Sequence, residues 1–163
     1  MAKLILTVLL LLVPALAEAQ KLVILVRHAE RADGGGMGPK AQDDPPLSAA
    51  GEARAARLAT VLADSGVRGI FVTKYRRTQD TGKPLATKLG LTVQAVPGDD
   101  VNALLARLKK DHADDVVLIV GHSNTIPPIV KALGGPAVEI PDSEYDNIFF
   151  LAPAAKVFTR IRY

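Results

Sequence analysis

The chain has 163 residues, no cysteine and only three histidines. Without cysteine it has no disulfide, no cysteine nucleophile and no cysteine-based zinc site, so its fold must depend on an apolar core. Aromatic residues make up 4% of the chain, whereas hydrophobic residues as a whole make up 48%. This length and this alanine-, valine- and leucine-rich composition predict one α/β domain with a substantial core.

Excess charge of one sign is also small. The chain carries 20 basic and 17 acidic residues, which gives a net charge of +3. No basic run is longer than residues 74–77, so the sequence does not indicate a nucleic-acid partner. No group of carboxylates has the spacing of metal ligands, so we expect neither a metal nor another cofactor. The mild positive charge favours phosphorylated substrates.

One apolar segment occupies the N-terminus, and no other segment approaches the length of a membrane span. Residues 1–3 form a short basic start, Leu4–Leu16 is apolar apart from one threonine, and residues 17–19 have the small-x-small pattern of a cleavage site. This arrangement predicts a signal peptide over residues 1–19 and a single domain over residues 20–163. The mature protein would be secreted or periplasmic, without a membrane span. An uncleaved anchor is the alternative.

Two apolar runs each end close to a histidine. Leu22–Val26 leads directly into Arg27 and His28, and Val116–Val120 leads through one glycine into His122. Such runs predict strands that are buried on both faces, as in a parallel α/β sheet. Ligands of these sheets bind beyond the carboxyl ends of the strands. If the two strands are neighbours, both imidazoles lie at the same edge of the sheet.

A third predicted strand, residues 69–73, adds positive charge to that edge. Arg76 and Arg77 follow it closely. Guanidinium groups bind phosphate oxygens in a planar, paired geometry, so two imidazoles with two guanidiniums form a site suited to phosphate.

Helices are predicted between the strands. Amphipathic and capped segments place the helices at about residues 48–65, 78–89, 99–110 and 127–134, and further strands at residues 91–96, 148–152 and 157–163. Pro84 should kink the second helix or mark a second start. The order βαβαβαβαββ predicts a three-layer α/β/α sandwich with a mostly parallel central sheet. The glycine-rich loop at residues 32–46 lacks the lysine of a P-loop, and we interpret it as a mobile flap beside the site.

Four short motifs occur in order between residue 22 and about residue 150. They are Arg27-His28-Ala29-Glu30, Leu47-Ser48-Ala49-Ala50-Gly51, Arg77-Thr78-Gln79-Asp80-Thr81 and Gly121-His122-Ser123. Together they resemble the successive motifs of the histidine phosphatase (phosphoglycerate-mutase-like) superfamily. The best-known form of the first motif has glycine where this chain has Ala29, which is also small. The resemblance implies the phosphoglycerate-mutase-like fold.

The resemblance also implies roles for four residues. His28 is the nucleophile that becomes phosphohistidine, while Arg27, Arg77 and His122 bind the phosphate oxygens. Arg76 could replace Arg77, but the spacing of the following threonines favours Arg77. For attack, one nitrogen of His28 must be unprotonated, and a backbone carbonyl that accepts from the other nitrogen would fix that state. His122 is expected to be cationic or to donate a hydrogen bond.

The leaving oxygen needs a proton donor. The family often places an acid just after the third strand, where this chain has Asp99 and Asp100. We take Asp100 as the candidate and Asp99 as the alternative, although both residues also suit helix N-caps. Three further assignments are structural. Glu30 and Arg31 order the flap, His112 lies in a solvated loop without a role, and residues 145–147 support the site through hydrogen bonds.

These inferences predict an exported phosphatase, a phosphoric monoester hydrolase of the histidine acid phosphatase type, acting through phosphohistidine. Its partner would be a phosphorylated small molecule or a phosphoprotein. A protein-phosphohistidine phosphatase is one alternative, and a non-catalytic anion-binding module on the same fold is another. Sugar-phosphate mutase activity is disfavoured because the chain lacks the insertions with which larger members of the family enclose their substrates.

Overall fold

The computed structural model describes residues 21–34, 44–97 and 100–163. The elements follow in the order β1 (Leu22–Arg27), α1 (Ala49–Val61), β2 (Val67–Val72), α2 (Arg76–Leu89), β3 (Val93–Ala95), α3 (Val101–Asp111), β4 (Val116–Gly121), α4 (Ile126–Ala132), β5 (Asn147–Ala152) and β6 (Val157–Arg162). This succession is the predicted one. The predicted signal peptide, most of the glycine-rich loop and Asp99 lie outside the described residues.

The six strands form one sheet in the order β3-β2-β4-β1-β5-β6. The first four strands along the chain run parallel, whereas β5 pairs antiparallel with β1, and β6 pairs antiparallel with β5. Strands β1 and β4 are neighbours, and their register places Arg27 opposite Gly121. The two histidines that follow these strands therefore leave the sheet side by side, as predicted.

Two apolar clusters lie on opposite faces of the sheet. One joins Ile24 to Leu58 of α1 and Leu85 of α2, and the other joins Leu25 to Leu104 of α3 and to the buried side of α4. Successive residues of a strand point to opposite faces, which is why neighbouring β1 residues enter different clusters. This arrangement is the predicted three-layer sandwich. Burial of each such side chain contributes about 1.5–3 kcal/mol, so the core replaces the missing disulfides.

Some predicted boundaries shift by a few residues. Helix α1 ends at Val61 rather than near Ser65, because the chain turns where the Ser65 hydroxyl donates to the Leu62 carbonyl at 2.7 Å. Helix α2 begins at Arg76, earlier than predicted, and Tyr75 is its N-cap. It continues through Pro84 to Leu89 as one helix, so no second start occurs there.

His112 differs from its prediction. Instead of lying in a solvated loop, it follows α3 directly and packs its ring edge-on against Phe71, with 5.3 Å between the ring centroids. Its Nδ1 atom is 2.9 Å from the carboxylate of Asp115. The acidic neighbours suggested solvent exposure, whereas the tertiary contact with β2 buries most of the side chain.

None of the helices within residues 21–34, 44–97 and 100–163 combines the length and the hydropathy that a membrane crossing requires.

Candidate active site

A cavity of about 910 Å³ opens where β1, β2 and β4 end. Arg27, His28, Arg77 and His122 all line it, so the structure brings together the four residues that the motifs singled out. Parallel strands end at one edge of a sheet, which explains how residues from three separate motifs meet there.

His28 is held by backbone contacts on both sides. Its own N–H donates to the Gly121 carbonyl at 2.8 Å, and the next N–H, that of Ala29, donates to the Thr81 hydroxyl at 3.0 Å. The ring Nδ1 lies 2.7 Å from the Ala29 carbonyl. A carbonyl only accepts, so Nδ1 carries the proton and Nε2 keeps its lone pair. The sequence-based expectation of a backbone carbonyl at this ring is therefore confirmed.

The charge state of His28 follows from its surroundings. Burial lowers the pKa of His28 to about 3, because an imidazolium loses hydration there, although the hydrogen bond to Ala29 opposes this shift. The nearby His122 and the guanidiniums of Arg27 and Arg77 lower the pKa further. The ring is therefore neutral at neutral pH, as a nucleophile requires.

The second motif brings α1 against the segment that carries His28. Ser48 caps α1 by accepting from the Gly51 N–H at 3.1 Å, and its own N–H donates to the Glu30 carbonyl at 2.9 Å. A Cβ atom at Gly51 would lie 2.3 Å from that carbonyl oxygen, so only glycine allows this approach. The Glu30 carboxylate also receives three hydrogen bonds from Arg54, at 2.6–2.9 Å.

Arg27 is 6% exposed and its guanidinium is held in one orientation. Its Nη1 donates to the carbonyls of Pro141, Asp142 and Glu144 at 2.9–3.2 Å, and its guanidinium lies 4.2 Å from the ring centroid of Tyr145. Its Nε is buried and has no hydrogen-bond partner within the described chain. A buried donor without an acceptor is costly, and an oxyanion bound beside it would supply the acceptor.

Arg77 and Arg76 face different surroundings. Arg77 lines the cavity, stacks over Tyr75 at 4.3 Å and lies 3.8 Å from the carboxylate of Asp44. Arg76 has a side chain that is 63% exposed, and its Nε donates to Asp80 at 3.2 Å. Of the two candidates, Arg77 is the one that the helix start directs into the cavity.

His122 lies with its ring centroid 5.2 Å from that of His28. Its backbone N–H donates to the Thr125 hydroxyl at 2.8 Å, and its Nε2 is 3.0 Å from the Thr73 hydroxyl. Burial, followed by the charge of Arg77, lowers the pKa of His122 to about 4. The ring is therefore neutral in the free site. Of the two expected states, hydrogen-bond donor and cation, the free site does not have the second.

The structure does not bring Asp100 to the lining of this cavity. Its carboxylate accepts from the Ala103 N–H at 2.8 Å and caps α3. The acidic residue on the described lining is Asp142, whose Oδ1 lies 3.1 Å from the Ser123 hydroxyl and 3.5 Å from Arg27 Nη2. Nothing in the sequence around Asp142 indicated this position, because it belongs to an irregular segment between α4 and β5.

Sequence reasoning missed Tyr75 on the described lining, and it expected residues 145–147 to support the site through hydrogen bonds, whereas Tyr145 lines the cavity and contacts the site through its ring. Tyr75 and Tyr145 each stack on one arginine, and each also lies beside one of the two histidines. Arg31, expected only to order the flap, lines the cavity and pairs with Asp33. Tyr75 lies three residues after the end of β2 and Tyr145 two residues before the start of β5, and this closeness to strand ends was the available signal.

Within the three described ranges, no three His, Cys, Asp or Glu side chains are grouped so that they could hold a metal ion. The charged groups that converge on the described lining are mostly cations, which suits an anion.

Comparison with known sequences matches residues 23–98 to the histidine phosphatase superfamily (branch 1). The PE-PGRS family protein PE_PGRS11 of Mycobacterium tuberculosis is 34% identical over 124 residues, which are 74% of this chain and 20% of that protein. The "Probable phosphoglycerate mutase GpmB" of Yersinia enterocolitica is 36% identical over 75 residues, 46% of this chain and 35% of that protein. The chain thus spans about a fifth and about a third of these two relatives.

Solved structures resemble the fold over most of the chain. The protein histidine phosphatase SixA complexed with tungstate superposes with a TM-score of 0.67 at 18% identity, covering 86% of this chain and 96% of that chain. A mycobacterial glucosyl-3-phosphoglycerate phosphatase with inorganic phosphate gives 0.64 at 17% identity, covering 88% and 96%. Three of the four motifs lie within the matched residues 23–98, and the fourth lines the same cavity as the first and the third. Residues 23–98 therefore match the histidine phosphatase superfamily in sequence, and the fold around them is similar to that of the solved phosphatase structures.

Proposed function

We propose that this protein is a phosphatase of the histidine acid phosphatase type, which hydrolyses phosphomonoesters through a phosphohistidine intermediate. The observation that carries the proposal is the fixed tautomer of His28. Its Nδ1 donates to the Ala29 carbonyl at 2.7 Å, which leaves the Nε2 lone pair for attack. The cavity around it offers Arg27 and Arg77 as partners for the phosphate oxygens.

The reaction would proceed in two displacements. In the first, His28 Nε2 forms a bond to phosphorus while the bond to the leaving alcohol oxygen breaks. In the second, water attacks the phosphorus and gives one proton to the carboxylate that protonated the alcohol, while the N–P bond breaks; this releases phosphate and restores the imidazole. Arg27, Arg77 and His122 hold the three equatorial oxygens, where charge accumulates in both transition states.

The leaving alcohol needs one proton in the first displacement. Asp100 is our sequence-based proposal for the donor, with Asp99 as its alternative, whereas Asp142 is the carboxylate on the part of the lining that the structure describes. A nitrophenolate leaving group needs no proton. The donor is the residue, Asp142 or Asp100, whose replacement by Asn lowers activity on substrates with a poor leaving group but not on a nitrophenyl phosphate.

The test of the proposal is to trap the covalent intermediate. Acid-quenching the protein after a short pulse of labelled substrate would disclose a phosphoenzyme, and alkali distinguishes base-stable phosphohistidine from an acyl phosphate. His28→Ala should give no adduct and no turnover. His122→Ala should keep the nucleophile and lose about 10²–10³-fold in rate, the typical cost of one preorganised donor.

The third histidine provides the matched control. His112 packs against Phe71, away from the cavity, so His112→Ala should keep the adduct. If His28→Ala still forms the adduct, or keeps near-normal turnover, His28 is not the nucleophile. If the wild-type protein forms no adduct and hydrolyses no phosphomonoester, the alternative of a non-catalytic anion-binding module is favoured.

A protein-phosphohistidine phosphatase is the second candidate. The likeness to the protein histidine phosphatase SixA supports it, because the two chains correspond over 96% of the length of SixA. The substrate would then be a phosphoprotein rather than a phosphorylated small molecule. Comparing kcat/KM for a phosphohistidine-containing protein with that for small phosphomonoesters would separate the two.

We also propose that the protein is exported to the periplasm or beyond the cell, with residues 1–19 removed. The support is the sequence pattern alone, since this segment lies outside the described residues. The short basic start, the apolar stretch and the small residues at positions 17 and 19 are those of a cleaved signal.

A further inference from the structure

A chain of two threonine hydroxyls begins at Nε2 of His122, and its first member, Thr73, belongs to the lining of the cavity. Thr73 Oγ1 is 3.0 Å from His122 Nε2 and 2.9 Å from Thr78 Oγ1. Thr73 is 4% exposed and Thr78 is fully buried. Buried hydroxyl protons are used in hydrogen bonds, so the direction of each bond can be deduced from the acceptors around it.

Thr78 determines that direction. Its Oγ1 lies 2.8 Å from the Tyr75 carbonyl and 3.1 Å from the Thr73 carbonyl. Carbonyl oxygens only accept, so the Thr78 proton must point to one of them; otherwise lone pairs would face each other at these distances. Thr78 Oγ1 is then an acceptor, and the Thr73 hydroxyl donates to it. The Thr73 oxygen therefore presents a lone pair to His122, and Nε2 must carry a proton.

We propose that the Thr73–Thr78 pair holds the proton of neutral His122 at Nε2, so that Nδ1 presents a lone pair and a phosphate dianion binds only with the uptake of one proton. Nδ1 has no hydrogen-bond partner in the described ranges, and it is not among their buried, unpartnered atoms. A dianion oxygen and an Nδ1 lone pair would repel each other. A proton between Nδ1 and the phosphate oxygen removes the repulsion. The number of protons taken up is one whether this proton is assigned to the imidazole or to the phosphate.

The groups around His122 explain why that proton arrives with the ligand. The charged, titratable and aromatic groups that face the ring from the neighbouring elements are Arg27, His28, Arg31, Arg77 and Tyr75. Burial and the three guanidiniums lower the pKa of His122, so the free ring is neutral. A bound phosphate offsets the positive charge of the guanidiniums and makes a further proton favourable. Thr73 and Thr78 are positioning residues, since they act through His122.

The inference rests on the proposed function, because it takes phosphate as the ligand, but binding alone can test it. Titration calorimetry with inorganic phosphate would use the protein at several pH values above the second pKa of phosphate. Buffers of different ionisation enthalpy would count the protons. The wild-type affinity should fall about tenfold for each pH unit, with uptake of close to one proton.

Two variants should flatten this profile. Thr73→Val removes the acceptor of the Nε2 proton, so the proton can move to Nδ1 and donate directly to a dianion. Thr78→Val keeps Thr73 but removes the acceptor of its hydroxyl proton, so Thr73 turns and donates to Nε2. In both variants the pH slope and the proton uptake should fall towards zero. Thr73→Ser and Thr78→Ser keep the hydroxyls and should restore the wild-type slope.

A merely structural role would lower phosphate affinity in the valine variants and leave the slope unchanged. That outcome, or a wild-type affinity that does not change with pH, would overturn the inference. The phosphoenzyme assay judges the proposed function separately. An adduct combined with a flat wild-type profile refutes only the proton placement, whereas a steep profile without an adduct refutes only turnover.

Discussion

Replacing His28 with glutamine should make the fold less sensitive to acid. In the native protein this imidazole is 4% exposed and stays neutral, whereas the unfolded chain leaves it in water. Burial lowers the pKa of His28 from its ordinary value of 6.5 to about 3. Below pH 6.5 the unfolded state therefore takes up a proton that the folded state excludes. A glutamine cannot titrate, so it removes this difference.

The sign and the size follow from proton linkage. The unfolded state binds more protons between pH 6.5 and about 3, so the free energy of unfolding rises with pH in that window and falls on acidification. Each pH unit changes this free energy by about 1.4 kcal/mol. Going from pH 6.5 to pH 4 should therefore remove about 3 kcal/mol through His28 alone. That is a large part of the 5–15 kcal/mol, roughly, that stabilises a typical domain.

Urea unfolding at pH 7 and pH 4 gives the loss of unfolding free energy on acidification for each protein. The effect of His28 is the difference between this loss in the wild-type protein and in the variant. The substitution itself changes stability at both pH values, and this contribution cancels in the comparison. His28→Gln should lose about 3 kcal/mol less than the wild-type protein on acidification. Equal losses in His28→Gln and wild type would show that His28 is not held neutral by burial.

Two further predictions follow from residue positions. Arg77→Ala should lose about 10²–10³-fold in kcat/KM because it removes a cation from the cavity, while Arg76→Ala should stay within a few-fold of wild type because that side chain pairs with Asp80 in solvent; equal losses would contradict the assignment. N-terminal sequencing of the exported protein should begin at Gln20, and a mature chain that starts at Met1 would exclude cleavage.

The central strands of the sheet could be predicted because the apolar runs in the sequence agree with the buried positions of these strands in the fold. Uninterrupted apolar runs marked β1 and β4 as central strands, and the structure pairs them in parallel with Arg27 opposite Gly121. Each run ends beside a histidine, so the edge of the sheet on which the site lies could be predicted before any contact was known. Helix ends were harder to predict, because caps such as Tyr75 use the backbone without a side-chain signal.

Residues of the candidate site could be predicted where the residue type alone indicates the chemistry. They were missed where their position depends on tertiary packing. Imidazole and guanidinium groups after strands indicate an anion site by themselves. Asp142 reaches the cavity only because an irregular segment brings it to Arg27, and no spacing in the chain reports that approach. Asp100 satisfied the sequence pattern for an acid after the third strand, but the same carboxylate also suits a helix cap, and the structure uses it as one.

The threonines of the third motif show why its spacing matters physically. Thr81 accepts from the Ala29 N–H and so fixes the backbone whose carbonyl sets the tautomer of His28. Thr78, almost one helical turn earlier, bonds to Thr73, which in turn contacts Nε2 of His122. One helix start thus supplies contacts that lead to both imidazoles, in addition to the guanidinium of Arg77. A shift of α2 by a single residue would disturb both histidines together.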